Sequence, residues 1–209
     1  MGILRAVQNV AAWSGGSAAG YLLSERVACL QDPRPMPHQF AKMLDHPLRM
    51  AYRNPTALFD VLAIQPGMTV LDLGCGTGVL AILAAKMNAA LPVHALDIDR
   101  RAVHSCRENA RRNRIAHKIV VKQGDGSLVQ INRYGIILAN IHKNILAEEM
   151  DTLSNGLGPK GGHLLLSGFY SADVPELTDA AIKNGLTLVE RKDKEEWVLL
   201  HLEKKQQKT

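Results

Sequence analysis

The chain has 209 residues, of which 46% are hydrophobic and 4% aromatic, so it fits one domain of ordinary size with an aliphatic core and a small extension. No apolar stretch reaches the ~20 residues of a membrane span, and three cysteines without metal-site spacing exclude a disulfide framework; we expect a cytoplasmic protein without a metal. The net charge of +5 is compatible with an acidic partner such as RNA or a ribosomal surface, and equally with a soluble protein that happens to be basic.

The first quarter of the chain is predicted to be helical and separate from the rest. Residues 1–30 suggest two short helices, and three prolines make residues 31–37 an extended connector. Helical spacing of apolar residues returns in residues 38–53, and Asn54 followed by a proline starts a further helix that ends near residue 64. We therefore predict an N-terminal helical extension and linker over residues 1–55.

A glycine-rich turn follows the first apolar strand. Asp72 stands two residues before Gly74, and glycines recur at Gly76 and Gly78 before an apolar helical pattern over residues 79–87. Glycines in such a turn adopt backbone angles closed to other residues and let a ligand touch the main chain. The free N–H groups of the next helix suit a carboxylate or a phosphate.

The spacing of these glycines separates two kinds of ligand. Dinucleotide folds usually show G-x-G-x-x-G, whereas this turn shows G-x-G-x-G after an acid. A carboxylate at that place repels a pyrophosphate and favours an ammonium or a sulfonium. The segment from Asp72 to Gly78 resembles motif I of the class I S-adenosylmethionine-dependent methyltransferases, and the resemblance implies S-adenosyl-L-methionine as the cofactor.

The second predicted strand, residues 92–97, ends in an acid whose distance from the glycine turn is typical of a nucleotide-binding fold. Asp97 lies 23 positions after Gly74, where an acid at a strand tip accepts hydrogen bonds from the ribose hydroxyls of an adenosine ligand. Ile98 would then lie against the adenine face. Asp99 is predicted to cap the next helix, residues 100–113.

That helix carries a strongly basic outer side. Its inner side is apolar, while the outer side holds Arg100, Arg101, Arg107, Arg111, Arg112 and Arg114. Such a face fits contact with RNA phosphates, but it fits a solvated charged surface as well, and no aromatic residues are interleaved.

A third strand, residues 118–122, is followed by Asp125 and Gly126. In the resembling family an acid here accepts a hydrogen bond from the exocyclic amine of adenine, which makes Asp125 a candidate; an ordinary turn aspartate before glycine is the alternative. The fourth strand, residues 134–139, is predicted to lie next to the first and ends at Asn140. Ligands of open α/β sheets bind beyond the carboxyl ends of the strands, so chemistry is expected at Asn140.

An asparagine amide can accept a hydrogen bond from an incoming amine and hold its lone pair toward a methyl group. Displacement at a sulfonium needs orientation and desolvation more than acid or base help. His142 and Lys143 are near in sequence and could be considered as a general base, but side chains in the first turn of a helix are usually exposed to solvent.

The remaining elements complete a seven-stranded, mostly parallel sheet with helices on both faces and one antiparallel strand. We predict a helix over residues 143–155, a strand over 163–167, a helix over 173–184 and a closing hairpin of strands 186–191 and 196–202. Phe169 and Tyr170, in the loop after the fifth strand, are candidates for a wall of an acceptor slot, and plain packing of at least one of them in the core is the alternative. This predicted order of elements resembles the class I methyltransferases, and the resemblance implies their Rossmann-like α/β fold.

The second half of the chain resembles the ribosomal-protein lysine methyltransferases called PrmA, over roughly residues 68–203. The similarity rests on three short segments, which are Ala139-Asn140-Ile141, Leu166-Ser167-Gly168 and Glu195-Glu196-Trp197-Val198. By this resemblance Asn140 binds the acceptor amine. Two departures concern the substrate: about 55 residues precede the catalytic core, too few for the family's separate recognition domain, and the family's glycine- and threonine-rich segment ahead of motif I is missing.

The combined prediction is a methyltransferase domain over residues 56–203 and a disordered tail over residues 204–209. Its reaction would be N-methylation of a protein amine, with a ribosomal protein as partner; a small-molecule methyltransferase or a non-catalytic cofactor-binding subunit are the alternatives. Asn140 is the catalytic candidate. The predicted cofactor-binding residues are Asp72, Gly74, Cys75, Gly76, Gly78, Asp97, Ile98, Asp125, Gly126 and Asn140.

Overall fold

A computed structural model of the protein describes residues 64, 67–87, 89–194 and 196–206. The predictions made for residues 1–63 and for residues 207–209 lie outside the described residues. Among the helices that are described, none is both long and apolar enough to cross a bilayer.

The described residues form one seven-stranded sheet with strand order β3-β2-β1-β4-β5-β7-β6. Neighbouring strands from β3 to β5 are parallel, while β7 runs antiparallel to both β5 and β6. The predicted fold class, with β4 beside β1 and a single reversed strand, is confirmed. The strands are Thr69–Leu73 (β1), Ala90–Asp97 (β2), Ile119–Gln123 (β3), Ile136–Asn140 (β4), Gly162–Tyr170 (β5), Leu186–Lys194 (β6) and Trp197–Lys204 (β7).

Helices cover both faces of this sheet, because strand residues alternate between two buried clusters. Along β4, Ile136 and Leu138 pack on one side, and Ile137 and Ala139 pack on the other. The first side is covered by α1 and α2, and the second by α3, α4 and α5. The helices are Val79–Lys86 (α1), Arg100–Arg112 (α2), Lys143–Glu148 (α3), Met150–Gly156 (α4) and Val174–Lys183 (α5).

Three predicted boundaries are wrong. The segment predicted as a loop after the fifth strand belongs to β5, since Phe169 pairs with Val198 and Tyr170 with Trp197 beyond an irregularity in the register. The predicted turn at residues 192–195 is largely strand, because β6 pairs with β7 as far as Lys194. Residues 143–155 are predicted as one helix, but α3 and α4 are separated at residue 149.

The end of the domain also differs from its predicted limit. β7 extends through Lys204, one residue into the segment predicted as a disordered tail, and Lys204 pairs with Gly162 of β5. Its ammonium donates to the carbonyl of Ser154 at 2.8 Å, which ties the strand end to α4. These contacts order the chain beyond the boundary drawn from composition.

Candidate active site

The turn after β1 is held against the neighbouring strand by its own backbone. The amides of Gly74 and Cys75 both donate to the carbonyl of Leu96, at 2.8 and 3.0 Å, and the amide of Gly78 donates to Cys75 at 2.7 Å. The turn therefore lies at the carboxyl ends of β1 and β2, the edge where parallel sheets bind ligands. We call this side of the sheet the carboxyl edge.

The three glycines of the turn have different surroundings. A Cβ at Gly74 would collide with the side chain of Ile141, and a Cβ at Gly78 would collide with Cys106. At Gly76, by contrast, a Cβ would meet no protein atom within 4 Å. Two glycines thus permit close packing, whereas Gly76 leaves main chain open for a ligand to approach.

Asp97 lies directly against this turn. One carboxylate oxygen accepts the amide of Gly76 at 2.8 Å, and the other accepts the amide of Asp99 at 2.9 Å. Because an ionised carboxylate offers about four acceptor positions, two remain for ligand hydroxyls. The structure therefore brings the predicted ribose-binding acid and the open glycine together.

Asp72 is buried beneath the turn and is only 1% exposed. Its carboxylate accepts the amide of Ala81, in the first turn of α1, at 2.9 Å. Burial raises the pKa of Asp72 to about 7; the Ala81 hydrogen bond opposes that rise and the nearby charge of Asp97 adds to it. Asp72 holds the helix start in place, and its predicted contact with a cofactor cation stays a prediction.

Replacing Asp72 with asparagine is expected to change how stability depends on pH. The unfolded carboxyl has a pKa of about 4, so between pH ~4 and ~7 the folded wild type binds the extra proton, and its stability falls with rising pH until it levels off above ~7. Asparagine does not titrate but can still accept the amide of Ala81. Thermal unfolding of both ligand-free proteins measures the free energy of unfolding at each pH. The value for Asp72→Asn relative to wild type should rise across this window, by at most about 4 kcal/mol. A difference that does not vary with pH would contradict the buried acid.

Cys75 and Ile98 face opposite environments. Cys75 is 7% exposed, and the Cys106 thiol beside it, together with burial, raises the pKa of Cys75. Its side chain therefore packs as a neutral thiol, and only its backbone reaches the turn surface. Ile98 is 66% exposed immediately after Asp97, a position that fits stacking against a base.

Asp125 and Gly126 lie after β3, at the same edge. Asp125 caps a short 3-10 helix, Gly126–Leu128, and its exposed carboxylate accepts the hydroxyl and amide of Ser127 at 2.6 and 3.0 Å. These hydrogen bonds lower the pKa of Asp125. Gly126 is buried, and the carboxylate of Glu149 lies where its Cβ would be. The hydrogen bonds to Ser127 support the interpretation of Asp125 as a turn residue, and its contact with adenine stays a prediction.

Asn140 is exposed at the end of β4, opposite Ser167 of β5. Gly168 allows this position, because a Cβ at Gly168 would lie 2.8 Å from the amide oxygen of Asn140. The residue after Asn140, Ile141, packs against Gly74 of the glycine turn. A short chain of contacts therefore joins the open turn to the candidate catalytic amide.

The other polar residues near Asn140 have structural partners. Lys143 pairs with Glu176 at 2.7 Å and lies 3.4 Å from Asp173, so these acids, Glu176 first, raise the pKa of Lys143 and keep it protonated. His142 caps α3 by accepting the amide of Asn144 at 3.5 Å. Neither contact prepares a proton acceptor for chemistry.

Of the two aromatic residues predicted after the fifth strand, one packs in the core, as the alternative interpretation expected, and the other is exposed. Phe169 is 2% exposed and belongs to the core, whereas Tyr170 is 48% exposed. Tyr170 lies against Trp197, which is 49% exposed, with ring centroids 4.6 Å apart. The sequence singles out Trp197 only as part of a family segment, and the pairing of β5 with β7 is what brings the two rings together.

The residues at the carboxyl edge fit an adenosyl sulfonium. Gly76 leaves space against the main chain, Asp97 retains acceptor capacity beside it, and Ile98 presents an exposed apolar surface. In the part of the chain that the structure describes, no group of three metal-ligating side chains could hold an ion. The arrangement can bind and orient an organic cation.

Comparison with known proteins agrees with this geometry. The family model for ribosomal protein L11 methyltransferase (PrmA) matches residues 57–205. A curated ribosomal protein L11 methyltransferase from Porphyromonas gingivalis is 47% identical over 135 residues, which cover 64% of this chain and 46% of that protein. One from Bacteroides thetaiotaomicron is 45% identical over 130 residues, 62% of this chain and 45% of the relative. The chain thus spans about half the length of these curated relatives.

Solved structures show the same fold. The ribosomal protein L11 methylase of Lactobacillus delbrueckii subsp. bulgaricus aligns with a TM-score of 0.64 and 28% identity, covering 68% of this chain and 73% of that one. A methyltransferase from Aquifex aeolicus, described as SAM-dependent, gives a TM-score of 0.66 at 16% identity over 81% of this chain and all of its own, a likeness in fold. Since the family model covers most of the sequence, the chain belongs to the ribosomal protein L11 methyltransferase (PrmA) family.

Proposed function

We propose that this protein is an S-adenosylmethionine-dependent methyltransferase that methylates an amine of a ribosomal protein. The observation that carries the proposal is the series of contacts from the open Gly76 turn, through Gly74 and Ile141, to the exposed amide of Asn140. These contacts support a cofactor seat and an acceptor-binding amide that lie side by side. Membership of the PrmA family and relatives named ribosomal protein L11 methyltransferase support a ribosomal-protein acceptor.

The cofactor-binding half of the proposal assigns each contact to a group at the carboxyl edge. Asp97 accepts the ribose hydroxyls, Ile98 covers the adenine, and the backbone at Gly76 approaches the amino-acid portion near the start of α1. Asp125 takes the adenine amine with the acceptor capacity that Ser127 leaves. The cofactor supplies the electrophilic methyl group.

The acceptor half depends on orientation. The amide oxygen of Asn140 accepts an N–H of the incoming amine, so that the nitrogen lone pair points at the methyl carbon as the carbon–sulfur bond breaks. The half-exposed Tyr170 and Trp197 supply apolar ring surface for the stem of a lysine side chain and attract its cationic end.

The acceptor must lose its ammonium proton before it attacks. A free lysine has a pKa near ~10.4, and desolvation beside a positive sulfonium lowers it, so the proton leaves to water before the amine is enclosed. Lys143 does not take it, because its pairs with Glu176 and Asp173 keep it charged. We place this reaction in the cytoplasm, and the free thiols of Cys75 and Cys106 suit a reducing compartment.

Methyl transfer with a labelled cofactor tests this function. The full chain is incubated with methyl-labelled S-adenosylmethionine and, separately, a ribosomal-protein fraction, a metabolite extract and protein-free RNA. The expected result is label in protein, recovered as methylated lysine after hydrolysis. Label confined to metabolites would make the protein a small-molecule methyltransferase, and cofactor binding without any transfer would make it a non-catalytic subunit. Calorimetry with NAD is the control, and tighter binding of NAD would refute the cofactor assignment.

Replacing Asp97 with alanine is expected to weaken S-adenosylmethionine binding by ~1–3 kcal/mol, or about 5- to 150-fold in Kd, because charge-assisted hydrogen bonds to the ribose are lost and the amide of Gly76 loses its partner. Calorimetry measures the change. Asp99→Ala is the matched control: Asp99 is an exposed acid whose side chain caps α2 through the amide of Arg101 at 2.8 Å. It should cost ~1 kcal/mol of stability without a comparable loss of affinity. Equal losses in the two variants would contradict the ribose-binding role.

A further inference from the structure

The positive charge of this protein is concentrated in one segment, residues 100–122, which comprises α2, the following turn and most of β3. Eight arginines and lysines and a single acid, Glu108, give this segment a net charge of +7. The whole chain carries +5, so all other residues together carry −2. We call the outward side of this segment the basic surface.

The fold turns these charges outward. The buried side of α2 consists of Val103, Cys106 and Ala110. Arg107 donates to the carbonyl of Val121 in β3 at 2.8 Å, which joins the helix and the edge strand into one continuous surface. The exposed cations are Arg100, Arg101, Arg107, Arg111, Arg112, Arg114 and Lys122, and Lys118 is partly exposed.

Few acids neutralise this surface. Among ion pairs between described residues, Glu108 meets Arg112 at 3.7 Å and His104 at 3.8 Å, and all three side chains are substantially exposed. Pairs of this kind contribute little in water. The positive potential of the surface is therefore left largely uncompensated by its own segment.

One cation of the basic surface, Arg114, has an unusual backbone conformation. It follows the C-cap of α2 in the left-handed region, with φ of 59°. The amides of Arg114 and Ile115 bond back to Arg111 and Ala110, the pattern in which glycine or asparagine normally occupies this position. A long side chain in that conformation is strained, and such strain points to a role for the side chain.

The composition of the basic surface favours a nucleic-acid backbone over a protein. Protein interfaces need buried apolar or aromatic anchors, and in residues 100–122, all of which are described, Val120 is the one large hydrophobic side chain that is exposed. Arginines along about 20 Å of helix length match phosphates spaced along a strand. Without aromatic residues to stack on bases, the contact would be to phosphates and independent of sequence.

The basic surface also adjoins the glycine turn after β1, and it leaves the candidate acceptor site at Asn140 open. Asn109 of α2 donates to the carbonyl of Thr77 at 2.9 Å, and Cys106 packs under Gly78. Asn140 lies on β4, which is three strands from β3, or about 14 Å across the sheet. A polyanion on the β3 side of the basic surface and an acceptor at β4 can therefore bind together.

From these observations we infer that the basic surface binds the phosphate backbone of RNA while the carboxyl edge holds cofactor and acceptor. The choice of RNA among polyanions rests on the proposed function, since a ribosomal-protein acceptor brings RNA with it. The binding itself does not depend on that function.

Fluorescence anisotropy of a labelled RNA hairpin with the full chain tests the inference without any cofactor. The variant is Arg101→Gln, Arg111→Gln, Arg114→Gly, which removes three charges, keeps helix-forming residues inside α2 and relieves the strained position. We expect affinity to fall by at least ~10-fold and the slope of log affinity against log salt to decrease by about 2 to 3. Its melting temperature should not fall, because glycine suits the left-handed conformation better than arginine.

The matched control removes three charges elsewhere through Lys160→Gln, Lys183→Gln, Lys205→Gln, all exposed residues outside the basic surface. Its RNA affinity should stay within about twofold of wild type. Equal losses in the two triple variants, no RNA binding by wild type, tighter binding of DNA of the same sequence, or equal competition by polyglutamate would each overturn the inference. Methyl transfer is measured separately: RNA binding without methyl transfer would refute the proposed function and leave the basic surface intact.

Discussion

Replacing Asn140 with alanine is expected to lower the rate of methyl transfer by roughly 100- to 1,000-fold while the affinity for S-adenosylmethionine changes by less than about twofold. Asn140 is exposed at the end of β4, and the absence of a side chain at Gly168 leaves room for its amide oxygen. Without this acceptor the amine enters unoriented, and displacement at a sulfonium depends chiefly on the alignment of nitrogen, carbon and sulfur. Single-turnover kinetics, together with calorimetry of the cofactor, separate the two effects.

Asn144→Ala is the matched control for this experiment. Asn144 is also an exposed asparagine near the carboxyl edge, but it lies in the first turn of α3, where its backbone amide bonds to His142. Its loss should leave the rate within about threefold of wild type. An unchanged rate in Asn140→Ala would remove Asn140 from the mechanism. A loss of cofactor affinity as large as the loss of rate would make it a cofactor ligand instead.

The parts of the site that could be predicted from sequence are those made by neighbouring residues. The glycine spacing from Gly74 to Gly78 determines the turn, and the distance to Asp97 follows from one strand–helix–strand unit of ordinary length. Parallel strands end at one edge, so the order of elements also placed Asn140 on the same side as the turn. Local chemistry and topology were sufficient for these residues.

Contacts between distant segments could not be predicted. Gly168 fits against Asn140 across 28 positions of sequence, and β5 continues to Tyr170 because β7 pairs with it. Burial of Asp72 was missed for a different reason: its carboxylate accepts the amide of Ala81 only nine positions along the chain, and the glycine spacing does not show that this contact lies beneath the turn. Sequence periodicity indicates which face of an element is buried, but tertiary packing determines which polar atoms are hydrogen-bonded there.

The glycine turn offers the second large effect, because two of its glycines should fail in different ways. Gly74→Ala is expected to lower the free energy of unfolding by ~2–4 kcal/mol, since the new methyl group collides with Ile141 and the residue has φ of 69°. Gly76→Ala has φ of 52° but meets no protein atom within 4 Å, so strain of ~1 kcal/mol should be its only cost to folding. Thermal and denaturant unfolding measure both values.

The variant that costs less stability, Gly76→Ala, is the one expected to lose cofactor affinity. The methyl group of Gly76→Ala occupies the space where a ligand approaches the main chain, and we expect Kd for S-adenosylmethionine to rise about 10- to 100-fold in a protein that is still folded. Calorimetry below the melting temperature of each variant measures this. Asp97 still accepts the amide of residue 76, so the loss is steric and not a loss of that hydrogen bond. Normal affinity in Gly76→Ala would show that the bound cofactor does not occupy the space that this methyl group fills, which would contradict the proposed approach of the ligand to Gly76.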